Sequence, residues 1–198
     1  MRSTAACLIA SACGLCFAAE AAHAAFEFGT LPKLPTLTAA TLNGKSQTVN
    51  TTMTNFSVID TRGTKSGWNI TVAGQSGTGK SAVFAQYCPK AICGADAEGY
   101  VAGGQKMAAN SLILNSTGAK FTGTGTAPTL SCSAGCKVDA ASAVKIATAA
   151  VGGAGESTWT TTGFSATSLA LAVPTTLRAL KNEEIYRVNI LWTLATGP

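Results

Sequence analysis

Apolar and polar side chains alternate along several short stretches of this chain, most regularly near its end. In YRVNILWTLA, residues 186–195, every second residue is apolar. This period of two, kept along the whole stretch, predicts one half-buried antiparallel strand. Its predicted apolar face is formed by Tyr186, Val188, Ile190, Trp192 and Leu194.

Shorter stretches with a similar pattern predict further strands. FSVID (56–60) and WNITV (68–72) flank the turn-forming run DTRGTKSG, so these two strands are predicted to form a hairpin. The remaining predicted strands are SLILN (111–115), AVKIATA (143–149), TWTTTGF (158–164) and SLALAV (168–173), the last of which ends at Pro174. Residues 26–42 are predicted to contribute an edge strand, and a short helix is the alternative for the Ala-rich stretch around 143–149.

The composition agrees with an all-β fold. Charged residues make up only 12% of the chain, Gly is frequent, and no stretch has helical periodicity of useful length. The predicted architecture is a single antiparallel β-sandwich or partly open β-barrel over residues 25–198, without an internal repeat or a dividing linker.

Residues 1–24 have the features of a secretory signal peptide. Arg2 precedes an Ala-rich apolar stretch that is too short to span a membrane, and the small-x-small sequence AHA places the predicted cleavage after Ala24. A lipoprotein with Cys13 as the lipidated residue is the alternative. No later stretch is apolar enough to span a membrane, and the C-terminus lacks an LPxTG-like sorting signal. The mature protein is therefore predicted to be exported, and either soluble or held to a surface by non-covalent contacts.

Four cysteines remain after the predicted cleavage, in a compartment that is oxidising. Disulfides are therefore predicted. Pairing within each local segment is favoured, because each segment encloses a turn with Gly or Pro, and pairing across the two segments is the alternative. The local pairs are Cys88 with Cys93 and Cys132 with Cys136.

The predicted cleavage also removes the only histidine, His23. Without histidine we expect no Ser-His-Asp or Cys-His site, no His-ligated metal and no cofactor. The net charge stays at +5, since Arg2 and Glu20 leave together, and the charges are scattered singly. This distribution predicts no nucleic-acid partner, but weak attraction to anionic wall polymers. One enzyme alternative is left, a secreted hydrolase in which two carboxylates from separate strands would act together as in a glycosidase.

Residues 74–81, GQSGTGKS, match the phosphate-binding pattern G-x-x-x-x-G-K-[ST] in full. That loop needs a following helix whose N-terminus faces the phosphates. Here SAVFAQYC has β-branched and aromatic members and soon meets Pro89, and the acidic Asp60 comes before the loop instead of ending a later strand. The stretch is therefore predicted to be a solvent-exposed loop in which Lys80 adds only diffuse charge, with no nucleotide partner.

Two tryptophan motifs carry a resemblance to a known family. GWNITV follows the turn DTRG and contains Trp68-Asn-Ile70, and YRVNILWTLATGP contains Trp192-Thr-Leu194 near the end of the chain. From about Leu31 to Pro198 the chain resembles the WxL-domain surface proteins of Gram-positive bacteria. The second motif fits fully, whereas the first has Ile70 in place of Leu. The Ala-rich leader and the four-cysteine middle look like those of an actinobacterial branch.

The resemblance implies a non-catalytic module that attaches non-covalently to the cell wall, through peptidoglycan or a wall polymer. A structural module that docks onto another surface protein is the alternative. The residues that match the motif, and are therefore the predicted binding residues, are Trp68, Ile70, Trp192 and Leu194. Both tryptophans lie on alternating apolar faces, so burial in the core is the competing interpretation. An exposed tryptophan would stack on sugar faces or anchor a protein interface.

Overall fold

The computed structural model describes residues 24–181 and 183–198, so all but the last residue of the predicted signal peptide (1–24) lies outside the described residues. In the described part, the strands are β1 (Phe26–Thr30), β2 (Gln47–Thr51), β3 (Ser57–Asp60), β4 (Trp68–Gly74), β5 (Ala85–Cys88), β6 (Gly99–Tyr100), β7 (Leu112–Leu114), β8 (Lys120–Thr122), β9 (Thr129–Leu130), β10 (Cys136–Lys137), β11 (Val144–Ala149), β12 (Ser157–Thr162), β13 (Leu169–Val173), β14 (Ile185–Arg187) and β15 (Ile190–Thr196). One short helix, α1 (Lys90–Cys93), follows β5. It is the only helix among the described residues and is too short to cross a membrane.

The strands form four antiparallel sheets. Sheet A has the order β1-β3-β12-β8, sheet B β10-β7-β13-β2, sheet C β15-β4-β11-β9 and sheet D β14-β5-β6. Within the described residues no sheet closes on itself. The prediction of an all-β antiparallel fold is confirmed, and of the two predicted architectures the open sheets agree with a sandwich.

Aromatic side chains join sheet A to sheet C in the core. The ring of Trp68 on β4 lies 5.9 Å from that of Phe121 on β8, in an edge-to-face arrangement. Phe56, just before β3, is fully buried and lies 5.9 Å from Phe121 and 6.3 Å from Trp192 on β15. Such pairs stabilise a core beyond the area that they bury. The two sheets therefore pack face to face through a cluster of rings.

Most predicted strands are confirmed. SLILN, AVKIATA, TWTTTGF and SLALAV correspond to β7, β11, β12 and β13, and Pro174 follows the last residue of β13. The helix alternative around 143–149 is wrong, because β11 fills this stretch between β4 and β9. The predicted edge strand within 26–42 is β1, which lies at the edge of sheet A.

The predicted hairpin between FSVID and WNITV is wrong. β3 lies in sheet A between β1 and β12, whereas β4 lies in sheet C between β15 and β11. Both edges of each strand are therefore taken by other partners. The intervening turn carries the chain from one sheet to the other, with positive φ at Gly63, Lys65 and Gly67.

The single strand predicted for residues 186–195 is also wrong in one respect. The chain forms two strands, β14 in sheet D and β15 in sheet C, with Val188 and Asn189 between them. Asn189 leaves the ladder because its backbone N–H donates to the carbonyl of Ser81 (2.8 Å) and its carbonyl accepts from the N–H of Gln75 (2.8 Å). The predicted apolar alternation survives along β15, where exposed residues alternate with half-buried ones up to Leu194.

The GQSGTGKS stretch is a loop, as predicted. Residues 76–80 are exposed, and the N–H of Lys80 donates to the carbonyl of Gly77 (3.0 Å) to close a tight turn. The next element is β5, a strand, so no helix presents its N-terminus to the loop. A phosphate would find none of the helix-terminal N–H groups that the motif normally supplies.

The cysteines form the two local pairs. The Cα atoms are 6.0 Å apart in the Cys88–Cys93 disulfide and 5.2 Å apart in the Cys132–Cys136 disulfide. The first encloses α1, and the second ends at β10. The favoured local pairing is confirmed, and each bridge fixes a turn.

Asp139 is a fully buried acid with a structural role. Its carboxylate accepts hydrogen bonds from the backbone N–H groups of Ser111 (2.9 Å) and Leu112 (3.1 Å). Burial raises the pKa of Asp139, and the backbone N–H groups oppose that rise. The side chain ties the segment after β10 to the beginning of β7.

Candidate functional site

The two tryptophan motifs are brought together in sheet C. β15 pairs with β4 along its whole length, and the register places Leu194 directly opposite Ile70. Trp192 lies opposite Val72, and Trp68 lies opposite Thr196. Residues opposite each other in an antiparallel pair project to the same face, so the apolar residues of both motifs face the core together. We call β4 and β15 the tryptophan pair.

The first motif is entirely internal. Trp68 and Ile70 are both 0% exposed. The indole N–H of Trp68 donates to the backbone carbonyl of Gly155 (3.1 Å), so its polar atom is satisfied inside the protein. Neither side chain is exposed, so neither can contact a ligand directly. They can affect binding only by stabilising the strand that carries them.

The second motif is partly open. Trp192 and Leu194 are half-buried against the core, and β15 is an edge strand of sheet C. The indole N–H of Trp192 has no hydrogen-bond partner within residues 24–181 and 183–198, where every buried side-chain polar atom has one. This N–H is therefore open to solvent. Of the two motifs, only the second combines an aromatic surface and a free donor at the protein surface.

The outer face of the tryptophan pair is polar. Thr71 and Thr193 lie opposite each other, and Lys145 on β11 lies beside Thr71 in the same row. Leu191 is 46% exposed on this face. The hydroxyls were not singled out by the sequence reasoning, although they occupy the alternate positions of both motif strands. Thr193 could have been found from its place between Trp192 and Leu194, whereas Thr71 follows the first motif and is located by its pairing with Thr193.

An arginine clamp fixes the end of β15. Arg62 donates to both carboxylate oxygens of Asp60, from Nε (2.8 Å) and Nη2 (2.9 Å), and from Nη1 to the hydroxyl of Thr196 (2.6 Å). Its guanidinium also lies 3.5 Å above the ring centre of Phe26. These contacts connect β3 and β1 of sheet A to β15 of sheet C. The contacts of Asp60 and Arg62 thus reach from their own turn across the sandwich.

The clamp lowers the pKa of Asp60. Its hydrogen bonds with Arg62 favour the ionised carboxylate and outweigh the burial that opposes it. A carboxyl group with a lower pKa in the folded state stabilises the fold above its unfolded pKa, about 3.9. That stabilisation is lost as the pH falls through the folded value.

Asp60→Asn should therefore destabilise the protein in a pH-dependent way. We expect the free energy of unfolding to fall by about 1.5–3 kcal/mol at pH 6, the range for hydrogen bonds to a charged group. The difference from the wild type should shrink towards zero as the pH falls through the lowered pKa of folded Asp60, below which both side chains are neutral. Urea unfolding at a series of pH values measures it, with the exposed Asp96→Asn as the control. A difference that stays constant from pH 6 to pH 2 would contradict the ionic role of the clamp.

One group of side chains in the described part has metal-ligand geometry. The Sγ atoms of Cys88 and Cys93 and a carboxylate oxygen of Glu184 lie within 4.8 Å of one another. The two sulfurs are joined in a disulfide and offer no thiolate to a cation. The carboxylate of Glu184 accepts a hydrogen bond from Nε2 of Gln86 (2.6 Å). This cluster is therefore a structural contact between α1, β5 and the segment before β14.

The comparisons with known proteins give one positive finding. A family model described as "WxL domain surface cell wall-binding" matches residues 20–198. Neither the curated proteins nor the solved structures contain a match to this chain. The matched range contains both tryptophan motifs and every described strand.

Proposed function

The chain belongs to the WxL family of surface cell-wall-binding domains, and from this premise we propose that it is an exported, non-catalytic module. It attaches non-covalently to the bacterial cell wall by contact with peptidoglycan or another wall polymer. The observation that carries the proposal is the pairing of both family motifs as neighbouring strands of one sheet. One of these motifs is buried and the other reaches the surface.

The proposed contact surface is the free edge of β15. An edge strand presents unpaired backbone N–H and C=O groups, which can bond to the hydroxyl and amide groups of a wall glycan. Trp192 adds an indole N–H that is open to solvent, and Thr193 adds an exposed hydroxyl. Trp68 and Ile70 support this edge from inside by fixing β4, to which β15 is bonded. The net charge of +5 favours approach to an anionic wall.

Binding to purified cell-wall sacculi tests the proposal. We expect the wild-type chain to sediment with sacculi at moderate salt and Trp192→Ala to bind at least about tenfold more weakly, as for a central aromatic contact. Trp192→Phe keeps an aromatic ring in the core but removes the N–H, so an intermediate loss would assign part of the binding to that donor. Val151→Ala, at a residue 65% exposed in a different turn, is the matched surface control.

Two outcomes would contradict this assignment. If the wild type is not retained by sacculi, the wall-binding function itself is wrong. If Trp192→Ala is retained as well as the wild type, while urea unfolding shows that it folds, the polymer binds elsewhere on the domain.

The same edge also favours a second candidate, docking onto another surface protein. A free edge strand can accept an extended segment of a partner as an additional strand, and Leu191, 46% exposed on β15, would contact its side chains. This candidate predicts retention by intact cell walls that carry their surface proteins. It predicts no retention by sacculi from which proteins have been stripped.

A further inference from the structure

Sheet B has a half-open apolar cavity on one face. Its volume is about 840 Å³. The floor consists of Leu112 on β7, Leu169, Leu171 and Val173 on β13, and Val49 on β2. The walls and cover come from two segments that contain Leu34, Leu37 and Leu42 on one side and Leu177, Leu180 and Tyr186 on the other.

The size of the cavity argues for an occupant. The cavity is half-open, so without an occupant its apolar lining stays in contact with water. Water fills a cavity stably only where it finds two to four polar partners, and these walls are dominated by aliphatic side chains. A volume of about 840 Å³ lies within the range of roughly 300–1,000 Å³ that small-molecule sites occupy.

Part of the cover has fewer hydrogen bonds than the floor. Residues 31–46, between β1 and β2, contain neither strand nor helix. Hydrogen bonds hold the two ends of this segment: Lys33 bonds through its backbone to Thr54, and the carbonyl of Thr41 accepts from Gln47. Within the described residues, none is found for the stretch 34–40, which is held by apolar contacts. Long irregular segments of this kind commonly form binding loops or lids.

The polar groups of the lining identify the class of ligand. The hydroxyl of Tyr186 donates to the carbonyl of Arg178 (2.7 Å), and the carboxylate of Glu184 accepts from Gln86 (2.6 Å). These two side chains are thus already paired. The lining also contains Thr36, Thr38 and Arg187, and the guanidinium of Arg187 lies 4.4 Å above the ring centre of Tyr87. The floor is a face of sheet B and offers no backbone partners, so the N–H and C=O groups of a peptide that lay against the floor would be buried unpaired. A hydrocarbon chain has no such groups and gains from burial.

We propose that this cavity binds the acyl chain of a single-chain amphiphile, whose polar head stays outside. The floor of the cavity lies on sheet B and the tryptophan pair lies in sheet C, while Tyr186 and Val188 of the lining lie just before β15. Such a site gives a wall-bound protein a second, lipid-directed activity.

Titration of the oxidised full chain with the fluorescent fatty acid cis-parinaric acid tests the proposal, with palmitic acid as the competitor. We expect saturable binding that palmitic acid reverses. Val49→Trp fills the cavity from its floor and should weaken binding about tenfold or more. Val151→Trp adds the same volume at a residue that is 65% exposed, and should bind like the wild type.

Three results would overturn the proposal. They are no saturable binding by the wild type, equal binding by Val49→Trp and the wild type, and displacement of the probe by an apolar decapeptide as effective as displacement by palmitic acid. If Val49→Trp does not fold, Leu180→Arg replaces it, because that change introduces a charge into the cover and leaves the floor intact. Loss of binding in Leu180→Arg supports the proposal, and unchanged binding opposes it. The sacculi assay is unaffected by either result, so the two functions fail separately.

Discussion

Trp68→Ala should lower the free energy of unfolding by about 3–5 kcal/mol, the range for removing a buried tryptophan. Its indole is 0% exposed, packs edge-to-face on Phe121 and donates its N–H to the carbonyl of Gly155. Alanine would leave a cavity between sheets A and C, and the Gly155 carbonyl would lose its donor. Urea unfolding followed by circular dichroism measures the loss.

Trp192→Ala is the matched comparison. Trp192 is half-buried and its indole N–H is open to solvent, so its removal should destabilise the fold by only about 1–3 kcal/mol. We therefore expect Trp68→Ala to cause the larger loss of stability. Trp192→Ala should cause the larger direct loss of binding to sacculi. Equal destabilisation by both substitutions would show that Trp192 belongs to the core as fully as Trp68 does.

Gly155→Ala should destabilise the fold by about 2–4 kcal/mol, although it adds a single methyl group. A Cβ atom at this position would lie 2.5 Å from Nε1 of Trp68 and 2.5 Å from Cβ of Ala149. Gly155 also has a φ of +74°, which an L-amino acid adopts at a cost. The methyl would push the Trp68 ring out of its place and break the hydrogen bond that the ring makes.

Gly44→Ala separates the two causes. Gly44 has the same φ of +74°, but a Cβ atom there would have no neighbour within 4 Å. It should therefore show only the backbone cost, about 1–2 kcal/mol. If Gly155→Ala and Gly44→Ala lower the free energy of unfolding equally, the close packing of Gly155 against Trp68 does not contribute to stability. Thermal unfolding of both variants beside the wild type decides this.

The local elements of the fold were predictable because alternation is a property of consecutive residues. β7, β11, β12 and β13 each follow from their own apolar pattern. The sheet to which each strand belongs was not predictable, because it depends on partner strands far along the chain. β3 and β4 lie close in sequence, yet each finds both of its neighbours elsewhere. A short turn between two strands predicts a hairpin only if each strand keeps an edge for the other.

The candidate site was predictable in identity but not in exposure. The resemblance located Trp68 and Trp192 on two apolar strands, and the register then places Leu194 opposite Ile70. Equal alternation around both tryptophans gave no means to tell the buried one from the half-buried one. The difference arises from sheet order, since β4 is an inner strand and β15 an edge strand. The cavity was equally hidden, because its walls come from segments with no regular pattern.

The position of Asn189 has a consequence for the loop at residues 74–81. This one residue makes hydrogen bonds at both ends of the loop. At one end its carbonyl accepts from the N–H of Gln75. At the other end its N–H donates to the carbonyl of Ser81, and its Oδ1 accepts from the N–H of Ser81 (3.1 Å). The exposed tip from residue 76 to residue 80 is thereby separated from the rest of the domain. Lengthening a loop whose ends are already fixed adds little closure entropy. An insertion between Thr78 and Gly79 is therefore expected to leave both motif strands in place.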